Sequence, residues 1–174
     1  GGAFSSYPVV GDAAGEAARI GALQGPSPTT DGQTADQSIV TAVRQGTASL
    51  EMDAIEAIVI FEGRDSTAGS PMQQVPQACK TSTASIPGAC NVYPAHEAFY
   101  AAQQNNKAYF TCGGGNSRPC GWNPTARSNG PAVRDIDYLG VYIRYKHPFM
   151  TGIFGEDLTL ESATVLRLEP GAVE

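Results

Sequence analysis

Chemistry in this chain begins with its four cysteines, Cys79, Cys90, Cys112 and Cys120. Cysteine ligates metal, forms disulfides or stays a free thiol, and zinc sites set two ligands two to four residues apart and repeat that pair. No two cysteines here are that close, and C-x-x-C is absent. Two disulfides are the better reading. Four cysteines allow three connectivities. The local pairs Cys79–Cys90 and Cys112–Cys120 are favoured, because turn formers lie inside each: Pro87-Gly88 in one loop, Gly113-Gly114-Gly115 in the other. In the chain-entropy model each such loop is worth roughly 2.5–3 kcal/mol. Persistent disulfides imply an oxidising space outside the cytoplasm.

The remaining reactive groups do not converge. His96 opens a His-Glu pair, but Tyr100 stands where the zinc motif H-E-x-x-H needs its second histidine, so His96 reads as a surface residue on a short helix. His147 precedes Pro148 and reads as a turn residue. The nucleophile-elbow, phosphate-loop and dinucleotide glycine patterns are all missing. Asp135 and Asp137 imitate the start of a calcium loop, yet Leu139 replaces an oxygen ligand and Lys146 occupies the closing glutamate position. The carboxylates Glu51, Asp53 and Glu56 flank the start of an apolar strand, where solvated or capping roles prevail. Trp122, Tyr138, Tyr142 and Tyr145 could form a binding patch, although aromatics at strand spacing more often pack. The expectation is a protein without catalytic residues, metal or cofactor.

Composition bounds the partners. The 174 residues carry a formal charge of −6 and a pI near 4.8, unsuited to displacing counterions from nucleic acid. Hydrophobic residues make up 41% and charged ones 16%, which suits one globular domain spanning residues 1–174. No apolar run is long enough to span a bilayer. The opening Gly1–Phe4 lacks the features of a secretory signal, so the N-terminus reads as cut.

These groups must be positioned by few elements. Residues 8–23 read as a helix with a small-residue face, including Ala14, Ala18 and Gly21, that would let another backbone approach closely. Pro8 suits its first turn or would kink a longer helix, and Gly25-Pro26 ends it. A second helix starts at a capping-box pattern, Thr34-x-x-Gln37, and runs to about Leu50 through Ile39 and Val43, with Gly46 weakening it. Ala54–Glu62 is short, β-branched and apolar, hence a central strand. Residues 63–136 form the disulfide-bearing loop region, interrupted by a short helix over Pro94–Gln104. Asp137–Lys146 alternates, with Leu139, Val141, Ile143 and Tyr145 opposite Tyr138, Gly140, Tyr142 and Arg144. Asp157–Glu169 alternates too, and the two strands would pair antiparallel through Pro148–Gly155. The class is α+β: N-terminal helices on one antiparallel sheet with long stapled loops.

Two stretches carry a family resemblance. The opening segment, with Ala18-Arg19-Ile20-Gly21-Ala22, resembles the alanine-rich stretch after the single transmembrane helix of TadE/TadG-like proteins of tight-adherence (Flp) pilus systems. The closing segment is similar to the last strands of actinobacterial members. It runs from Asp137-Tyr138-Leu139-Gly140-Val141 through His147-Pro148-Phe149-Met150-Thr151-Gly152 to Arg167-Leu168-Glu169-Pro170. Cys90-Asn91-Val92-Tyr93, followed by a second cysteine pair near Trp122, is similar in style. The resemblance implies a pseudopilin-like, extracytoplasmic assembly subunit. It would contact other pilus subunits, or copies of itself, and reach the membrane through an N-terminal helix absent from this chain. It brings no catalytic residues. The peptidase cleavage site and the apolar helix with its early glutamate are not in this sequence, so either an upstream segment was removed or this is a soluble relative. Ala14, Ala18, Gly21, Trp122 and Tyr142 are the candidate interaction residues. Two other readings follow from the residues: a secreted carbohydrate- or peptide-binding module using Trp122 and the strand tyrosines, and a secreted hydrolase using His147 with Asp135 or Asp137.

Overall fold

The computed structural model describes residues 3–63, 75–113, 120–130, 136–147 and 158–170. The elements run α1 (Ala3–Gln24), α2 (Ala35–Gly46), β1 (Ile55–Glu62), α3 (Gln77–Thr81), β2 (Cys90–Pro94), α4 (Ala95–Gln103), β3 (Tyr138–His147) and β4 (Leu158–Arg167). Short 3₁₀ turns cover Met52–Ala54, Lys107–Phe110 and Pro124–Ala126. The four strands form one antiparallel sheet in the order β2-β1-β3-β4. This is the α+β architecture expected.

Strand alternation sorts the sheet into two faces. Ile58, Ile60, Leu139, Val141, Ile143 and Tyr145 point to the side covered by α1, α2 and α4. Ala57, Val59, Phe61, Val92 and Tyr142 point to the other. The helices are not all on one side: α3 packs on the second face, where Cys79 bonds Cys90 of β2. Arg144 strengthens that cover by donating from Nη2 to the carbonyls of Cys79 (3.4 Å) and Ser82 (3.3 Å). In β3, Gly140 pairs with Phe61 of β1, and a β-carbon at 140 would fall within the Phe61 ring.

α1 begins at Ala3, so Pro8 lies inside the helix rather than at its start. Val10, Ala13, Ala14, Ala17, Ala18, Gly21 and Ala22 form one buried stripe at helical spacing against α2, β3 and β4. The small side chains set a close crossing: a β-carbon on Gly21 would come within 2.5 Å of Ile39 Cδ1.

α2 departs from expectation at both ends. Thr34 is its N-cap but makes no side-chain cap bond; its hydroxyl donates to the Phe110 carbonyl instead (3.1 Å). Gln37 is buried and donates to Asn105 Oδ1 (2.8 Å). No capping box forms, because both side chains are used in tertiary bonds. The helix ends at Gly46, and the Thr47 hydroxyl then donates to the Val43 carbonyl (2.7 Å).

β2 and α3 lie in the stretch read as loop. Five residues each are too few for a periodic signal, and β2 exists because it pairs with β1 from Pro94–Ala57 to Cys90–Phe61. The second disulfide joins Cys112 to Cys120, so both favoured pairs are present. Gly114, Gly115, Asp135, the side chain of His147 and the Pro148–Gly155 connection lie outside the described residues.

Candidate functional site

The strongest concentration of polar chemistry is buried between α2, β2 and residues 120–127. Asp36, in the first turn of α2, meets Arg127 at 2.7 Å, and both side chains are fully excluded from solvent. β2 contributes the other two members, because its odd-numbered residues face the helices. Tyr93 donates its hydroxyl to Asp36 Oδ2 (2.6 Å), and Asn91 Nδ2 donates to the same oxygen (2.8 Å). The Asn91 amide then fastens the loop, donating to the Trp122 carbonyl (2.7 Å) and accepting from the Gly121 and Trp122 amides (2.8 Å each). Arg127 Nη2 donates to the Trp122 carbonyl (3.3 Å), and its guanidinium lies 4.1 Å from the centre of the Trp122 ring.

Burial pushes the Tyr93 hydroxyl well above its ordinary pKa, and the Asp36 carboxylate beside it adds to the effect. Tyr93 is therefore a protonated donor at neutral pH. With carboxylate, phenol and guanidinium turned on one another, the cluster acts as a clamp holding the 120–127 segment to the helix layer. Sequence reasoning missed it. Asp36 and Arg127 are far apart in the chain, and neither belongs to a spaced motif; only the acid in the first helical turn was a visible cue, and it suggests a solvated cap.

The open surface is different. One depression, of about 500 Å³, lies between the C-terminal half of α2 and α4, with Arg44, Leu50, Met52, Ile55, Phe99 and Ala102 among its walls. A second, of about 490 Å³, shares Met52 and Ile55 and adds Asp53, Glu56, His96 and Arg144. Met52 is 43% exposed, unusual for a large apolar side chain beside two recesses.

Comparison with protein-family models, curated proteins and solved structures finds no match.

The expected interaction residues are mostly occupied from within. Ala14, Ala18 and Gly21 are buried against the molecule's own α2 and sheet, which corrects their reading as a contact face for a partner. Tyr142 is 1% exposed beneath α3, whereas Tyr145 is buried on the opposite face. Trp122 is half-buried against the helix-side core with Arg127 on its ring. Strand alternation puts Tyr142 and Tyr145 on opposite faces of the sheet, so these two do not share a patch. His96 is exposed on α4, as expected. Asp137 accepts from the Ser128 amide (2.7 Å), closing the loop that precedes β3. Among the described residues, no three His, Cys, Asp or Glu side chains gather as a metal site, and no helix is long and apolar enough to cross a membrane. The two disulfides are compatible with an extracytoplasmic location.

Proposed function

We propose that this protein is a structural or assembly subunit of a bacterial pilus or surface appendage, a TadE-like minor pseudopilin that works by protein–protein contact outside the cytoplasm. One observation carries the reading: a long, small-residue N-terminal helix lies along an antiparallel sheet whose far face is closed by a disulfide. A helix backed by a rigid, stapled sheet is a body suited to being held in an assembly. The full-length protein would be displayed at the cell surface, reaching the membrane through an upstream helix. A peptide-binding module is the second reading, favoured by the paired depressions around Met52. Its carbohydrate-binding form loses support, since Arg127 covers one side of Trp122 and Tyr142 is buried.

The test is deletion of the gene in its native host, followed by recovery of surface filaments by shearing. The assembly reading expects filaments to be lost and to return with the wild-type gene. Undiminished filaments after deletion, together with saturable peptide binding by the purified domain, would transfer the case to the second reading.

A further inference from the structure

The two depressions have Met52 and Ile55 as common walls and both border α4, one at Phe99, Ala102 and Gln103 and the other at Ala95 and His96; together they are the trough. The geometry points to a docking site for an apolar segment of a partner subunit that carries an acidic side chain against Arg44. This deepens the assembly reading and rests on it.

Charge identifies the occupant. Arg19 pairs with Glu16, Lys107 with Asp31, Arg127 with Asp36 and Lys146 with Glu56. Arg44 has no such partner among the described residues, although the chain has an acidic excess. A cation in the last turn of α2 favours the helix dipole, but that needs no recess. Here the unpaired guanidinium borders apolar walls from Leu50, Met52 and Phe99, where an incoming carboxylate would be partly desolvated and its attraction strengthened. Past Met52 the second depression mixes signs, with Asp53, Glu56 and Arg144 all on its walls, so the charge that selects the occupant is the one at Arg44. An occupant carrying an acid beside its apolar residues complements that end. Met52 suits the centre, because a flexible thioether adapts to an incoming side chain.

The probe is a library of random peptides displayed on phage and panned against the disulfide-bonded chain. Enriched peptides should combine aliphatic or aromatic residues with Asp or Glu. For a synthetic enriched peptide, followed by fluorescence anisotropy, Arg44→Glu should weaken binding about tenfold. Replacing the peptide's acid by lysine should restore binding to that variant, a reciprocal rescue that misfolding could not produce. Met52→Glu should remove binding while keeping the wild-type unfolding midpoint. No enrichment, enrichment without an acid, indifference to Arg44→Glu, or binding of dodecanoate in place of peptides would each overturn the proposal. In the deletion strain the two claims separate. Filaments restored equally by wild-type, Arg44→Glu and Met52→Glu genes would sink the trough and leave the assembly reading intact. Filaments unaffected by deletion would sink the assembly reading itself.

Discussion

The layer under α1 and α2 and the region from 75 to 127 are held by opposite means. The first is aliphatic and periodic: Ala14, Ala17 and Ala18 of α1 close on Ile39 and Val43 of α2 and on Leu139 and Val141 of β3, with hardly a polar atom between them. The second is built of short elements, and beside the packed rings of Tyr93, Tyr109 and Phe110 it is fastened by a disulfide at Cys79–Cys90, a buried ion pair at Asp36–Arg127 and the amide of Asn91. Apolar packing degrades gradually as side chains are trimmed. A buried charge pair does not, because losing one member strands the other. The two regions should therefore fail differently.

The largest effect should come from Arg127→Ala, which leaves the Asp36 carboxylate buried without its counter-charge and should cost about 3–5 kcal/mol by urea unfolding. Adding Asp36→Asn, which keeps an acceptor for Tyr93 and Asn91 without the charge, should recover part of that loss; a double variant no better than the single would show that the stranded charge is not what the loss of Arg127 costs. Next, opening Cys79–Cys90 by paired alanine substitution should cost roughly 2.5–3 kcal/mol. Hydrogen exchange with reductant present should then show residues 75–127 losing protection before β1 and β3. Equal loss across both regions would mean that the disulfide does not hold the 75–127 region separately.

Tyr93→Phe removes one donor from a buried carboxylate and should cost about 1.5–3 kcal/mol. The same residue predicts a pH effect. Its folded-state pKa is raised, so its contribution is complete below the unfolded value of about 10 and is lost as pH climbs beyond it towards the folded pKa. Unfolding midpoints measured through that range should fall more steeply in the wild type than in Tyr93→Phe. The smallest effect belongs to the half-buried surface pair Lys146–Glu56, 3.1 Å apart, where Lys146→Ala should change stability by less than about 1 kcal/mol.

What was legible follows the same division. β1 and β3 were readable because burial on both faces leaves a β-branched apolar run in one and strict alternation in the other. α1 was readable from its alanines, although its stripe proved to be internal: spacing shows that a face is small, not what lies against it. Between 75 and 127 only the cysteines and the helix read over Pro94–Gln104, which is α4, were readable. β2 is fixed by pairing with a strand distant in sequence, and its signal is too short to stand above background. The Thr34-x-x-Gln37 pattern misled because a local cap competes with tertiary partners, and here Phe110 and Asn105 won both side chains. The Asp36–Arg127 clamp left only one local cue, the acid in the first turn of α2, and nothing that pointed to Arg127.

The Phe61–Gly140 pair has a consequence for descent. The ring fills the space that any side chain at 140 would need, so neither position is free to drift alone. A homologue bearing alanine or serine at 140 should show a smaller residue at 61, and the two columns of an alignment should vary as a linked couple.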